Sequence, residues 1–189
     1  MIMYMYEQML AVTSRKLYQQ PFLQQIEMIA GRHPRGIILR EKDLPETEYE
    51  ILAGQVLEIC SKYEVPCILH YWPDTAKKLG AENIHLPMWK YRQCAESLKG
   101  FRLIGVSVHS VMEAEEAQKL GAVYLIAGHI FQTSCKEGAE PRGLVFLEEV
   151  CRAVTIPVYA IGGIREDNTC RVMATGAEGY CVMSGLCNY

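Results

Sequence analysis

The sequence predicts an α/β fold, a single compact (β/α)8 barrel spanning residues 1–189 as one domain, with the helix after its eighth strand missing or truncated. Three observations predict it. Short apolar runs alternate with longer amphipathic ones from end to end, and strand–helix alternation of this kind builds a parallel sheet because each return crossover must be long. The short runs are apolar on both faces, as strands buried beneath helices read. They number eight, and the eighth ends at Gly185, close to the last residue, Tyr189.

The strands are expected at Met9–Ser14, Gly36–Arg40, Pro66–His70, Asn83–Pro87, Leu103–His109, Tyr124–Ile130, Pro157–Gly163 and Gly179–Gly185. After the first, Phe22, Ile26 and Ile29 recur at helical spacing. After the second, Leu52, Val56, Ile59 and Tyr63 do the same. Ser110-Val111-Met112-Glu113 is a capping box opening the helix after the fifth strand. Leu79-Gly80-Ala81, Leu120-Gly121-Ala122 and Thr175-Gly176-Ala177 each put a glycine where a helix needs a left-handed C-cap, with a strand close behind. Val65-Pro66 and Ile156-Pro157 stop helix and start extended chain. Eight units leave about 24 residues each, short for such a barrel but compatible with tight loops. A doubly wound open sheet competes. It would normally carry a glycine-rich turn after its first strand, and Ser14-Arg15-Lys16 is no such turn.

Composition narrows the function. A net charge of −3 offers no field for gripping a nucleic-acid backbone. No apolar run approaches the ~20 residues of a membrane span. Met1–Val12 has no basic start and contains Glu7, so it reads as the approach to a strand rather than a signal peptide. The eight cysteines form no C-x-x-C pair and no zinc spacing, and several fall inside apolar helix or strand patterns. Free thiols in a reducing cytoplasm, in a monomer or a homo-oligomer, are the expectation.

In this fold chemistry sits at the C-terminal ends of the strands. Arg40 and Lys42 share one face at the end of the second strand, with Glu41 on the other, and two converging cations suit an anionic ligand. Gly162-Gly163 after strand seven and Ser184-Gly185 after strand eight are the usual phosphate-binding loops of such barrels. His129 stands on a long polar loop after strand six, where an imidazole can exchange a proton near neutral pH. Thr13, Ser14, His70, Ser107 and His109 also fall at strand ends, and His85 reads as a satisfied core or rim residue.

Leu39-Arg40-Glu41-Lys42, Gly105-Val106-Ser107-Val108-His109-Ser110, Gly121-Ala122-Val123-Tyr124, Gly128-His129-Ile130-Phe131-Gln132-Thr133 and Pro157-Val158-Tyr159-Ala160-Ile161-Gly162-Gly163-Ile164 together resemble the thiamine phosphate synthase/TenI superfamily, in the family's own order. The resemblance implies a (β/α)8 barrel acting on phosphorylated precursors of thiamine. Its synthase branch joins a pyrimidine pyrophosphate to a thiazole phosphate, with magnesium held by aspartates. Where that branch has Gln in the second-strand motif this chain has Ile38. Where it has Asn-Asp after the third strand there are His70 and Tyr71, and Lys90 stands at a further aspartate position.

In the sixth loop, His129 and Cys135 replace a proline and a threonine, so that Gly-His-x-Phe-x-Thr-x-Cys-Lys resembles the TenI branch, the thiazole tautomerases. On that resemblance the chain is expected to be a metal-free and cofactor-free isomerase that aromatises a carboxythiazole phosphate. His129 would be the proton carrier, and Arg40 and Lys42 would hold the substrate carboxylate. Gly162, Gly163, Ser184 and Gly185 would hold the phosphate, with Ser107, His109, Thr133 and Lys136 lining the site. The alternatives are a thiamine phosphate synthase and a non-catalytic protein that binds thiamine or thiazole phosphates.

Overall fold

The computed structural model describes residues 6–94, 96–133, 135 and 138–188. Eight strands, β1 (Met9–Val12), β2 (Gly36–Leu39), β3 (Cys67–His70), β4 (Asn83–Pro87), β5 (Leu103–Val108), β6 (Tyr124–Gly128), β7 (Val158–Ile161) and β8 (Gly179–Val182), pair in parallel in sequence order. β8 returns to β1 and closes the barrel, with Leu10 beside Cys181. Helices cover the outside: α1 (Phe22–Ala30), α2 (Glu46–Lys62), α3 (Pro73–Lys78), α4 (Met88–Tyr91), α5 (Val111–Lys119), α6 (Gly143–Ala153) and α7 (Thr169–Met173). After β8 there is only a short 3-10 helix, Ser184–Asn188, among the described residues. Among the described residues no helix is long and apolar enough to cross a membrane.

Two cores result from the period-two alternation of the strands. The larger lies between barrel and helices, where Ile37, Leu39, Leu69, Ile84 and Leu86 meet Ile26, Ile29, Val56 and Leu147. The smaller fills the barrel with Leu10, Val12, Ile38, Ile68, Tyr124, Ile126, Tyr159 and Cys181. Each fully buried Leu or Ile contributes about 1.5–3 kcal/mol of burial free energy.

Seven of the eight expected strands run one to three residues too long, almost entirely at the C-terminal end; β4 alone has the expected bounds. The residues that follow these strands, among them Ser14, Arg40, His109 and Ile130, continue the extended pattern but have already left the ladder for the mouth loops. The face of α2 is also corrected. Its most buried line is Tyr49, Ala53, Val56 and Cys60, while Leu52, Ile59 and Tyr63 are half-buried along its flank. The capping box holds: the Ser110 hydroxyl accepts from Glu113 N (3.1 Å), while the Glu113 carboxylate accepts from His109 N (2.7 Å), one residue before the cap. Gly80, Gly121 and Gly176 all take positive φ at the ends of their helices, as the C-cap pattern requires.

Candidate active site

At the C-terminal mouth of the barrel lies a pocket of about 200 Å³. Its floor is the upper layer of the barrel core, Val12, Ile38, Ile126 and Ile161. One half of its rim, from β7 round to β2, carries Gly162, Gly163, Ser184, Gly185, Arg40 and Lys42. The other half, from β3 to β6, carries His70, His85, Ser107, His109, His129 and Thr133. All the predicted site residues therefore meet in one cavity except Lys136, which lies outside the described residues.

Arg40 and Lys42 project into the pocket as the strand period predicts, and Glu41 turns the other way. The buried Glu41 carboxylate accepts from the Thr13 hydroxyl (2.6 Å) and from Arg15 N (3.1 Å to each oxygen), while Thr13 Oγ1 accepts from Arg40 N (3.0 Å). Burial raises the Glu41 pKa, and these bonds oppose the shift. Thr13 is thus a buried tie between the β1 and β2 ends rather than a ligand-facing group. The half-buried Arg40 guanidinium reaches to 4.0 Å from Met183 Sδ, which brings the β2 cation beside the β8 loop.

The glycines after β7 have a packing reason as well as a ligand-facing one. A Cβ on Gly162 (φ +102°) would stand 2.3 Å from His129 Cβ, and one on Gly163 (φ +65°) 2.4 Å from Gln132 O. The β6 loop therefore lies directly on the β7 loop, tied by Ile130 N to Ile161 O and Phe131 N to Gly162 O, each 2.9 Å. That contact sets His129, which is buried to 5% exposure while its Nε2 has no hydrogen-bond partner among the described residues. His109 is held differently: its Nδ1–H donates to Gly128 O (2.8 Å).

His85 is fully engaged, with Nε2 2.7 Å from Ser107 Oγ and Nδ1 3.1 Å from Tyr124 OH. Burial first, and then the charge of Arg40, lowers its pKa to about 3. His70, stacked on His85 with ring centroids 6.1 Å apart, is also pushed well down, by burial and then by His85, Arg40 and Lys42. Both imidazoles are neutral at physiological pH. Tyr124 and Tyr49 are not singled out by the sequence as site residues. Tyr49 OH donates to Leu39 O and accepts from His70 N, each 2.8 Å, and so pins the β2 and β3 ends together.

The magnesium that the family resemblance implies needs several oxygen ligands in near-octahedral array. The corresponding positions here are His70, Tyr71 and Lys90. The Lys90 ammonium lies 4.1 Å from the Tyr71 ring centroid and 5.4 Å from that of Trp72, beside a second cavity of about 360 Å³ walled by Tyr71, Trp72 and Trp89. Among the described residues no three His, Cys, Asp or Glu side chains are grouped so that they could hold a metal ion. Glu41, which also lines this second cavity, is committed to Thr13 and Arg15. A cation–aromatic wall does not fit the ion.

Comparison with known proteins places the chain firmly. The family model described as thiamine monophosphate synthase matches residues 9–186. A thiamine-phosphate synthase of Listeria monocytogenes is 43% identical over 145 residues, covering 74% of this chain and 68% of the relative. A putative thiamine-phosphate synthase of Aquifex aeolicus is 35% identical over 175 residues, covering 92% and 94%. The solved structure of a thiamine phosphate pyrophosphorylase from Pyrococcus furiosus superposes with a TM-score of 0.80 at 30% identity, covering 95% of this chain and 87% of that one. These matches correct the expectation of a thiazole tautomerase. These relatives bear the name of the synthase, a transferase, and not of a thiazole tautomerase, so the proton-carrier role read for His129 loses its reaction.

Proposed function

The chain belongs to the thiamine monophosphate synthase family, and from that premise we propose that it is a thiamine-phosphate synthase, joining a pyrimidine pyrophosphate to a thiazole phosphate at the barrel mouth. The observation that carries this reading is the division of the pocket. Anion-binding groups from β2, β7 and β8 occupy one half, and imidazoles and hydroxyls the other, over an apolar floor. Flat rings bearing phosphates suit such a site.

The backbone at Gly162, Gly163, Ser184 and Gly185 holds the thiazole phosphate. Arg40 and Lys42 meet the negative charge that gathers on the departing pyrophosphate, and this is where preorganised cations lower a barrier most. His129 offers its unpartnered Nε2 to bound substrate, and Ser107, His109 and Thr133 line the remainder of the ring site. No step passes through a divalent ion, since the donor set does not suit one. The reaction belongs to the cytoplasm, with phosphorylated small molecules as its partners.

Incubation with both substrates tests the proposal. Thiamine phosphate and pyrophosphate should form one to one, and Arg40→Ala should lower kcat/KM about a hundredfold. A second reading, a binder of thiazole phosphate without turnover, is favoured by the lack of converging carboxylates. Tight binding of thiazole phosphate with no product would decide for it.

A further inference from the structure

We propose that Tyr124 and His85 act as a proton-ordered relay that locks Ser107 as a hydrogen-bond donor into the mouth pocket, so that the site selects a ligand atom with an acceptor lone pair there. The proposal rests on the preceding reading only for the identity of that ligand. Its basis is a row across three strands. His85 on β4 pairs with Gly105 on β5, and Gly105 pairs with Tyr124 on β6. A Cβ on Gly105 would stand 2.0 Å from Tyr124 Cζ, so only glycine lets the tyrosine ring cross β5 and reach His85. Ser107 lies two residues further up β5, on the same face and at the pocket wall.

Proton accounting fixes the direction of the relay. A neutral imidazole has one donor and one acceptor nitrogen. Tyr124 is buried, and its hydroxyl has His85 Nδ1 as its one hydrogen-bond partner among the described residues. If Nδ1 carried the proton, the Tyr124 hydroxyl proton would be left without an acceptor in the core, which is unfavourable. Tyr124 OH therefore donates to Nδ1, and Nε2–H donates to Ser107 Oγ at 2.7 Å. Ser107 has no other protein partner among the described residues, so its own proton points to whatever fills the pocket.

The same accounting excludes a Ser–His nucleophile, although the distance alone would suit one. His85 Nε2 already holds its proton and cannot take one from Ser107. Ser107 thus contributes a donor to the ring-binding half of the mouth, and a ligand group that is itself only a donor leaves the Ser107 proton unsatisfied and is disfavoured there.

Nitrogen-15 NMR of the histidines in the wild-type protein reads the tautomer without any ligand or turnover, with the His85 signals assigned by their loss in His85→Gln. Nδ1 should be unprotonated and Nε2 protonated, and the reverse pattern overturns the proposal whatever reaction the protein catalyses. In the functional arm, thiazole phosphate and pyrimidine pyrophosphate are titrated separately by calorimetry against wild type, Tyr124→Phe, Ser107→Ala and the double variant. Tyr124→Phe should weaken one of the two ligands about three- to tenfold in the wild-type background and have no effect when Ser107 is already Ala. Equal effects in both backgrounds, or none in either, would show that Tyr124 does not act through Ser107. Absence of synthase turnover would leave both measurements readable and would count against the functional reading alone.

Discussion

At the scale of single residues, the mouth depends on neutral imidazoles packed among cations. His85, lowered to about 3, and His70, pushed well down, are uncharged when folded, whereas an unfolded histidine titrates near 6.5. The unfolded state therefore takes up protons first as the pH falls, and stability is lost on going from about pH 6.5 towards pH 3. Urea denaturation at pH 7 and pH 5 should show wild type losing stability on acidification. His85→Gln, with one fewer such group, should lose less over the same interval; an unchanged slope would mean His85 is accessible to protons in the folded state. Tyr49 is equally exacting. Tyr49→Phe leaves the His70 N–H and the Leu39 carbonyl, both bonded to its hydroxyl, without that partner in the core, and should cost about 1–3 kcal/mol by equilibrium unfolding.

Between elements, the contact of the β6 and β7 loops is what places His129. Gly162→Ala combines a left-handed backbone with a 2.3 Å approach to His129 Cβ, so it should destabilise the protein by about 2 kcal/mol or more and depress activity. Gly80→Ala is the control. It shares a positive φ, but nothing lies within 4 Å of the added Cβ, so it should cost about 1–2 kcal/mol and leave activity intact. Thermal melts and initial rates of the two variants separate backbone strain from loop displacement.

These elements also show what the sequence could and could not reveal. Strand positions were legible because both faces of a covered strand are apolar, and the glycine C-caps because only glycine takes that backbone cheaply. The strand ends were not, since Ser14, Arg40 and His109 extend the pattern without extending the ladder. Nor was the buried face of α2, where Leu52 and Ala53 are both apolar and only packing chooses between them. Arg40, Lys42, His129 and the glycine pairs were legible from strand-end position alone. The Tyr124–His85–Ser107 chain was not, because it depends on the register of three strands, which a linear reading cannot supply.

For the whole molecule, closure of eight short strands brings residues from β2, β7 and β8 to one half of a small mouth and the imidazoles of β3 to β6 to the other. Length and net charge alone do not point to a reaction. The functional reading came from the site and its relatives, and it corrected the reaction first expected from the sixth-loop residues. Under the proposed function, this mouth transfers a pyrimidine to a thiazole phosphate using its own cations. The most direct test follows thiamine phosphate and pyrophosphate formation from the two substrates, in parallel with excess chelator and with added Mg²⁺. Equimolar product should form at similar rates in both. No product in either, or product only with the metal, would contradict it.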